Sequence, residues 1–325
     1  MSLTGKIVLV TGGTGSFGRK FSEILLREQK PEKLIIFSRD ELKQHEMQGS
    51  GFDHPNIRYF IGDVRDRDRL GRAMNGVDVV VHAAAMKQVL ASEYNPIEAV
   101  KTNVFGAQNV IDAAIDTGVD KVMFISTDKA VNPINLYGAT KLCAEKLFVQ
   151  GNGYSGIEGT RFSCTRYGNV HGSRGSVVPI FKKQSANGKV TVTDERMSRF
   201  WLTLEQGARF VISQIDQMKG GEVFVPKIPS IRIMDLVQAV APDCEVEFIG
   251  IRPGEKLHEV LISGDEARVA VELDDMFVIR PIFPWSSTLI NWSHGNPLAD
   301  GFEYSSDKNS AWLSVDRLRE MVADD

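Results

Sequence analysis

Residues 6–18 read KIVLVTGGTGSFG, and this stretch decides the fold. The β-branched run at 6–11 predicts a buried strand that leads directly into a glycine-rich turn. Glycine permits a tight turn and a close approach of the backbone to a pyrophosphate, and the N–H groups that begin a helix attract phosphate. A turn that only shapes the backbone is the alternative. The pattern predicts a dinucleotide-binding turn that comprises Gly12, Gly15, Ser16, Phe17 and Gly18.

Similar β-branched runs alternate with helical stretches along the first half of the chain. The runs are KLIIFS (33–38), NIRYFIG (56–62), VDVVVHAA (77–84), KVMFIS (121–126) and TRFSCTR (160–166). The stretches between them carry apolar residues at three- and four-residue intervals, which is typical of amphipathic helices. This alternation predicts an α/β fold, a Rossmann-type doubly wound parallel sheet with helices on both faces.

The pattern loosens after residue 169 and predicts a second, smaller domain. We expect a nucleotide-binding domain at 1–176, rejoined by a helix and the strand GEVFVP within about 202–226. A smaller C-terminal substrate-binding domain then occupies 177–325. From about residue 272 onward prolines and tryptophans interrupt the sequence pattern, and hydrophobic periodicity no longer predicts helices or strands.

The composition excludes several classes of partner. A net charge of −4 without a long run of either sign gives no electrostatic footprint for nucleic acid. The longest apolar stretches are shorter than the roughly 20 residues of a membrane helix, and no leader pattern opens the chain. Three scattered cysteines, Cys143, Cys164 and Cys244, indicate a reducing compartment, and the histidines lack metal-ligand spacing. We expect a cytoplasmic protein without a metal.

The residues after the second strand indicate which dinucleotide binds. An NAD-binding protein usually presents a carboxylate to the ribose 2′-hydroxyl here, but this chain places Ser38 and Arg39 before Asp40. Arg39 and Lys43 could hold a 2′-phosphate by charge-assisted hydrogen bonds. The segment therefore favours NADP, although Asp40 could instead cap the next helix while Arg39 is a solvated surface charge.

Two further strand ends belong to the same predicted pocket. Asp63 and Val64 follow the third strand and are expected to meet the adenine, while the alternative for Asp63 is a turn that closes on its own backbone. Ala83 to Ala85 follow the fourth strand. Small side chains there let a cofactor lie flat against the backbone.

The segment ISTDKAVNPINLYGATK, residues 125–141, carries the predicted chemistry. It begins at the carboxyl end of the fifth strand, where open parallel sheets bind ligands. Tyr137 and Lys141 lie four residues apart on a predicted helix and project from one face. A free tyrosine titrates near about 10, so we expect the Lys141 ammonium and an oxidised nicotinamide to stabilise the Tyr137 phenolate. Lys141 is also expected to bind the nicotinamide ribose.

Together with the glycine turn, this Tyr-xxx-Lys pair resembles the extended short-chain dehydrogenase/reductase family. Sugar-nucleotide dehydratases of that family usually show Thr-Asp-Glu where this chain has Thr127, Asp128 and Lys129. The Thr-Asp-Lys variant resembles UDP-N-acetylglucosamine 4,6-dehydratases. Because Tyr137 stands where capsule-type relatives carry methionine, the chain is most similar to the inverting enzymes that open pseudaminic acid biosynthesis. A turn cap and a solvated charge are the structural alternatives for Asp128 and Lys129.

The resemblance extends over most of residues 5–265, through blocks such as HAAAMKQV, TRYGNV, GSRGSVVP and RPGEKLHEV. It implies that the stretch from Asn169 to Arg174, with Val170, partly touches the cofactor. The alternatives are a helix surface charge for Lys87, a strand-end cap for Asn169, and a local salt bridge for Arg252 and Glu255. The chain departs from the family at Glu195, where threonine is common. The substrate contacts that the resemblance implies are Lys87, Thr127, Asp128, Asn169, Val177, Arg252 and Glu255, with Lys87 also at the cofactor.

The resemblance implies a cycle of oxidation, dehydration and reduction on UDP-N-acetylglucosamine. Tyr137 takes the proton from the 4-hydroxyl, and Asp128 protonates the departing 6-hydroxyl. Lys129 removes the proton on carbon 5, provided that burial or positive charge lowers its pKa. The rivals are a reductase or epimerase that uses only Tyr137 and Lys141, and a non-catalytic NADP-sensing protein. A long apolar helix at 95–117 predicts a homo-oligomer, from dimer to hexamer.

Overall fold

The computed structural model describes residues 3–173, 176–282 and 292–323. Within these ranges the strands are β1 (Ile7–Thr11), β2 (Lys33–Ser38), β3 (Ile57–Ile61), β4 (Val79–His82), β5 (Lys121–Ile125), β6 (Arg161–Thr165), β7 (Asn169–His171), β8 (Lys189–Val192), β9 (Ser198–Thr203), β10 (Val223–Pro226), β11 (Ser230–Arg232), β12 (Glu245–Phe248), β13 (Val260–Ile262), β14 (Ala270–Glu272), β15 (Met276–Ile279), β16 (Asn296–Pro297) and β17 (Tyr304–Ser305).

The helices in the same ranges are α1 (Ser16–Ile24), α2 (Glu41–Met47), α3 (Arg67–Met74), α4 (Val89–Tyr94), α5 (Pro96–Val100), α6 (Gly106–Thr117), α7 (Leu136–Ser155), α8 (Val177–Ser185), α9 (Leu204–Gln217), α10 (Ile233–Val240), α11 (Gly264–Ala267) and α12 (Val315–Ala323). Wider π-type turns at Leu25–Gln29, Gln48–Phe52 and Lys101–Phe105 extend α1, α2 and α5. A 3₁₀ turn spans Asp128–Ala130.

The large sheet has the order β16-β14-β15-β10-β6-β5-β4-β1-β2-β3. Its pairs from β3 to β10 are parallel, and β15, β14 and β16 add an antiparallel edge. The strand order reverses between β1 and β4, which places a ligand-binding crevice outside their carboxyl ends. The predicted Rossmann-type doubly wound α/β fold with a smaller C-terminal part is confirmed.

The parallel strands lie inside the sheet because their residues are apolar on both faces. All four residues of β4 and the last four of β1 and β5 are buried. Helices cover the faces, since α1 packs against α9 and α6 packs against both α3 and α7. Burial on both sides explains why these strands read as continuous hydrophobic runs rather than as an alternating pattern.

A second, smaller core forms in the later part of the chain. It buries Val178, Phe181, Val190, Leu236 and Leu318, which come from α8, β8, α10 and α12. The three-stranded sheet β11-β9-β7 and the pair β12-β8 lie in this part. The structure places α9 and β10 with the large sheet, and the strands β14, β15 and β16, which periodicity did not reveal, extend it.

A buried arginine joins the large sheet to the segment that follows the smaller core. The Arg166 guanidinium at the end of β6 donates to both carboxylate oxygens of Glu145 on α7 and of Glu266 on α11. It also donates to the backbone oxygen of Leu261 at 2.8 Å. Arg166 thereby fixes the β13–α11 segment against the helix that carries Tyr137.

Candidate active site

A cavity of about 840 Å³ lies along the carboxyl ends of the parallel strands. The glycine turn after β1 lines one end of it, and the loop from Arg252 to Glu255 lines the other. Val177 and Trp201, which belong to the smaller core, complete the wall. A volume of this size suits a cofactor and a substrate bound side by side.

The glycine turn is shaped for close backbone packing. Gly12 has a φ of 67°, and a Cβ there would lie 2.9 Å from the Ala84 backbone. A Cβ on Gly18 would lie 2.5 Å from the Cα of Gly13. Helix α1 begins after Gly15 without a side-chain cap, so its first N–H groups face the cavity end that a pyrophosphate would occupy. These residues fit a dinucleotide.

At the end of the cavity where the adenosine is expected, Asp40 caps helix α2 and also lines the cavity. Its carboxylate caps α2 by accepting from the Lys43 backbone N–H at 3.1 Å, and the Lys43 ammonium lies 2.7 Å from its other oxygen. Asp40, Lys43 and the exposed Arg39 nevertheless line the cavity. Asp63 is not among the lining residues, because Arg65 holds its carboxylate and, despite partial burial, keeps its pKa low.

Helix α7 positions Tyr137 and Lys141. It begins at Leu136 and is capped by Asn135, whose side chain accepts from the Gly138 N–H at 2.7 Å. The Lys141 ammonium donates to the Ile125 backbone oxygen at 2.6 Å and lies 3.9 Å from the centre of the Phe124 ring. Burial lowers the pKa of Lys141 to about 7 and raises the pKa of Tyr137 to about 12.

The charge that acts on Tyr137 differs from the one the sequence predicted. We expected Lys141 to stabilise the phenolate, but the Lys141 ammonium is directed to Ile125. Burial raises the pKa of Tyr137, and the positive charge of Lys129 and a hydrogen bond with Thr127 act against that rise. Lys129 therefore influences the pKa of Tyr137 across the cavity wall.

Lys129 lies between two carboxylates. Its amino group donates to the Oδ1 atom of the fully buried Asp128 at 3.1 Å and lies 3.4 Å from the Oε1 atom of Glu259. Burial alone would lower the pKa of Lys129, but these two negative charges outweigh it and raise the pKa well above its ordinary value. The condition under which Lys129 could act as a base, a lowered pKa, is therefore not met in the protein without ligands, in which Lys129 is an ammonium.

Several buried polar atoms around this centre lack a hydrogen-bond partner in the described part of the chain. They include Oδ2 of Asp128, Oδ1 of Asn169, Nε1 of Trp201, Oε2 of Glu255 and Oε2 of Glu259. Unpaired buried polar atoms are costly, and their concentration at one cavity indicates that a polar ligand completes them. All but Asp128 belong to residues of the cavity wall.

The structure brings most of the predicted site residues to this one cavity. Asp128 is not itself a wall residue, but its Oδ1 atom accepts a hydrogen bond at 2.9 Å from the hydroxyl of Thr127, which is one. Glu195 is exposed and does not line the cavity. Arg174 lies outside the described residues. The predicted residues that line the cavity are Gly12, Gly15, Ser16, Phe17, Gly18, Ser38, Arg39, Asp40, Lys43, Val64, Ala83, Lys87, Thr127, Lys129, Tyr137, Lys141, Asn169, Val170, Val177, Arg252 and Glu255.

Sequence reasoning missed several polar residues of the wall, among them Glu259, Arg199 and Trp201. Glu259 lies within the quoted block RPGEKLHEV, where only Arg252 and Glu255 have a predicted role, while Arg199 and Trp201 lie on β9. No spacing relates them to the segment 125–141. Only tertiary packing brings them to Tyr137 and Lys129.

The fold and this site define an enzyme of the extended short-chain dehydrogenase/reductase type that acts on nucleotide-linked sugars. Residues 8–281 match the family described as Polysaccharide biosynthesis protein. The chain belongs to that family.

Relatives agree with the resemblance stated from the motifs. The chain is 53% identical to an inverting UDP-N-acetylglucosamine 4,6-dehydratase of Campylobacter jejuni over 98% of this chain and 97% of that protein. It is 38% identical to a UDP-glucose 4-epimerase of Rickettsia conorii over 98% and 95% of the two chains. The resemblance to inverting dehydratases is thereby confirmed.

Solved structures share the architecture. Pen from Bacillus thuringiensis superposes with a TM-score of 0.90 at 42% identity, and the match covers 100% of both chains. DesIV, a dTDP-glucose 4,6-dehydratase from Streptomyces venezuelae, gives a TM-score of 0.67 at 22% identity over 77% of this chain and 86% of that one, and shows the fold alone. Among the described residues, no helix is long and apolar enough to span a membrane, and no cluster of side chains could hold a metal ion.

Proposed function

We propose that this chain converts UDP-N-acetylglucosamine into the 4-keto-6-deoxy sugar with inversion at carbon 5, using tightly held NADP. The product is UDP-2-acetamido-2,6-dideoxy-β-L-arabino-hex-4-ulose. The observation that carries the proposal is the Asp128–Lys129 ion pair beside Tyr137 at one cavity wall. A dehydrogenase needs only the tyrosine, whereas a dehydratase also needs an acid and a base.

The glycine turn and the Ser38–Lys43 segment would hold the cofactor. When bound, its nicotinamide accepts hydride from carbon 4 and later returns hydride to carbon 6. Arg39 is directed to Asp63 at 3.7 Å and Lys43 to Asp40, so both cations are already placed at this end of the cavity. A 2′-phosphate would offer each of them an additional charge-assisted hydrogen bond.

Tyr137 begins the reaction by taking the proton of the 4-hydroxyl. Burial raises its pKa to about 12, so the free protein holds a neutral phenol. The positive charges of Lys129 and of the oxidised nicotinamide favour the phenolate. The tyrosine therefore becomes a base when cofactor and substrate are both in place.

Asp128 and Lys129 then supply the acid and the base for dehydration. Transfer of one proton from the Lys129 ammonium to Asp128 across their 3.1 Å hydrogen bond yields a neutral amine and a carboxylic acid together. The amine removes the proton on carbon 5, which the 4-ketone makes acidic, and the acid protonates the departing 6-hydroxyl as water. Inversion requires that a proton return to carbon 5 on the opposite face.

The other end of the cavity would bind the UDP moiety. Arg252 is exposed at the cavity wall, and a guanidinium can hold a diphosphate by two hydrogen bonds. Asn169 and Glu255 each present an unpaired buried oxygen that a sugar hydroxyl or a base N–H would satisfy. Lys87, Thr127 and Val177 complete the proposed contacts.

Turnover without a reductant tests the proposal. Purified protein supplied with UDP-N-acetylglucosamine, and with NADP⁺ but no NADPH, should yield a product lighter by one water. Absorbance at the NADPH band should stay flat during many turnovers. An unchanged substrate, or a product of equal mass, would contradict the proposal.

A 4-epimerase is the second candidate, favoured by the 38% identity to a protein of that name. An epimerase needs Tyr137 and Lys141 but no acid beside them. It would release a sugar of unchanged mass, and the Asp128→Asn variant would keep its activity. Mass spectrometry of the product separates the two functions.

The choice of NADP over NAD has its own test. Arg39→Ala should raise the Kd of NADP⁺ by about tenfold, which is the value of one charge-assisted contact, and leave that of NAD⁺ nearly unchanged. Lys33→Ala, a lysine on the same strand at the opposite end, is the matched control. Equal effects on both cofactors would remove Arg39 from 2′-phosphate recognition.

We also propose that the chain is a cytoplasmic homo-oligomer. Leu90, Tyr94, Ile97 and Phe105 lie along α4, α5 and the following turn with 62%, 89%, 63% and 53% of their surfaces exposed. Such a run of exposed apolar side chains is typical of an interface. Tyr94→Asp with Ile97→Asp should lower the mass measured by light scattering, whereas a monomeric wild-type protein would contradict the proposal.

A further inference from the structure

The loop before β13 places a second carboxylate against the predicted catalytic lysine. Glu259 is 2% exposed, lines the cavity, and holds its Oε1 atom 3.4 Å from the Lys129 amino group. Asp128 approaches the same amino group at 3.1 Å from within the 3₁₀ turn. Lys129 is therefore held between carboxylates from two segments 130 residues apart in the sequence.

The backbone around Glu259 is fixed by the fold. Its N–H donates to the Ser306 side chain at 3.0 Å, and the Ser306 N–H donates to its carbonyl at 2.8 Å. Two residues further on, Arg166 binds the Leu261 carbonyl. Glu259 is thus held in place independently of Lys129.

The second oxygen of Glu259 is not used by the fold. Its Oε2 atom is buried and lacks a hydrogen-bond partner in the described residues, and the Lys256 ammonium lies 3.9 Å from it. Lys256 donates instead to the Val131 carbonyl at 2.5 Å. A buried carboxylate oxygen without a donor is expensive, so a role that only stabilises the fold does not account for it.

We propose that Glu259 is a positioning residue, which holds the Lys129 amino group beside Asp128 at the cavity wall and sets the proton affinity of that pair. The proposal rests on the proposed dehydration. Glu259 does not need to touch the sugar. Its negative charge keeps the ammonium in place before the substrate arrives, and its free oxygen can accept a hydrogen bond from that ammonium when Asp128 turns to the substrate.

The charges around Lys129 come from several elements. Asp128 lies on its own turn, Tyr137 on α7, Arg199 on β9, and Lys256 and Glu259 on the loop before β13. Removal of a negative charge from this set lowers the pKa of Lys129, and removal of a positive charge raises it. An opposite charge at this distance shifts a pKa by about 1 to 3 units.

The test compares three variants of the full-length enzyme by the pH dependence of carbon 5 exchange with deuterated solvent. In Glu259→Gln, the limb of the profile that depends on Lys129 should move to lower pH by at least about one unit. In Lys256→Met, it should move to higher pH. Glu259→Asp keeps the charge but not the reach, so its limb should stay near that of the wild type while the maximal rate falls.

A second readout separates positioning from binding. Glu259→Gln should lower the maximal kcat by about tenfold and leave the KM for UDP-N-acetylglucosamine nearly unchanged, as expected for an interaction that acts in the reaction and not in binding. Melting temperatures identify any variant that fails to fold, and Glu259→Asp and Lys256→Met remain informative in that case. Coincident pH profiles in wild type and all folded variants would overturn the proposal. A wild-type enzyme inactive on this sugar would instead overturn the proposed function.

Discussion

Two buried clusters in this protein have the same charges and different chemistry. In one, Arg166 lies between Glu145 and Glu266, and all four carboxylate oxygens accept hydrogen bonds. In the other, Lys129 lies between Asp128 and Glu259, and each carboxylate keeps one oxygen without a donor in the described residues. The two clusters differ in the saturation of their polar atoms, and we propose that this difference separates a structural ion cluster from a reactive one.

The choice of cation fits the same distinction. An arginine stays charged under all conditions a protein meets, so the Arg166 cluster cannot exchange a proton. A lysine can lose its proton, and the 3.1 Å hydrogen bond to Asp128 gives that proton a destination. Matched substitutions in the two clusters test whether they differ in activity and in stability as this distinction requires.

The largest effect is expected from Lys129→Arg, which gives the Lys129 cluster the same type of cation as the Arg166 cluster. Lys129→Arg keeps the charge and the ion pairs but removes the exchangeable proton, so kcat should fall by about 10²–10⁴-fold, the usual contribution of an acid–base group. Its melting temperature should stay close to that of the wild type. Lys256→Arg, the same change at a neighbouring lysine, should retain activity, and full activity of Lys129→Arg would refute proton exchange at that position.

The next effect comes from the same carboxylate-to-amide change in each cluster. Glu145→Gln leaves the fully buried Arg166 with one carboxylate, and the free energy of unfolding should fall by about 3 kcal/mol. Asp128→Asn should cost less stability, because Glu259 still balances Lys129, but should abolish dehydration. Urea unfolding measures the free energy of unfolding of both variants, and product analysis measures their dehydration activity. Equal losses of stability would contradict the distinction between the clusters.

A third buried cation gives a smaller effect that depends on pH. Lys141 donates to a backbone carbonyl and not to a carboxylate, and burial lowers its pKa to about 7. Between pH 7 and its ordinary pKa of about 10.4, the unfolded chain binds the proton that the folded chain does not, so stability rises with pH in this window. Relative to Lys141→Met, the wild type should gain up to about 1.4 kcal/mol per pH unit there. Parallel stability curves would show that Lys141 remains charged.

The smallest effect is expected at an exposed ion pair that serves as reference. Glu23 contacts Lys20 and Arg27 on the surface of the first helix and its π-type extension, and its side chain is 42% exposed. Glu23→Gln should change the free energy of unfolding by less than about 1 kcal/mol, because water screens such pairs. A cost comparable to that of Glu145→Gln would mean that burial does not control these energies.

Local patterns predicted the sheet and two of the three members of the proposed reactive cluster, Asp128 and Lys129. The β-branched runs before Gly12 and Lys129 indicate strands, because the pattern of a buried strand is contained in consecutive residues of the sequence. Asp128 and Lys129 come shortly after one such strand. Glu259 could not be predicted, since its distance from Lys129 is set by how the β13 segment packs into the large core. The condition placed on Lys129, a lowered pKa, is not met in the protein without ligands, because Asp128 beside it and Glu259 across from it both raise that pKa.

The most direct test of the whole account follows carbon 5 of the sugar. The wild-type enzyme with bound NADP⁺ is supplied with UDP-N-acetylglucosamine in deuterated water, and the product is examined by proton NMR. We predict a 4-keto-6-deoxy sugar with the inverted configuration and deuterium at carbon 5, formed without consumption of NADPH. A product that retains the original proton at carbon 5, or a sugar that keeps its 6-hydroxyl, would contradict the assignment of Asp128 and Lys129 to dehydration.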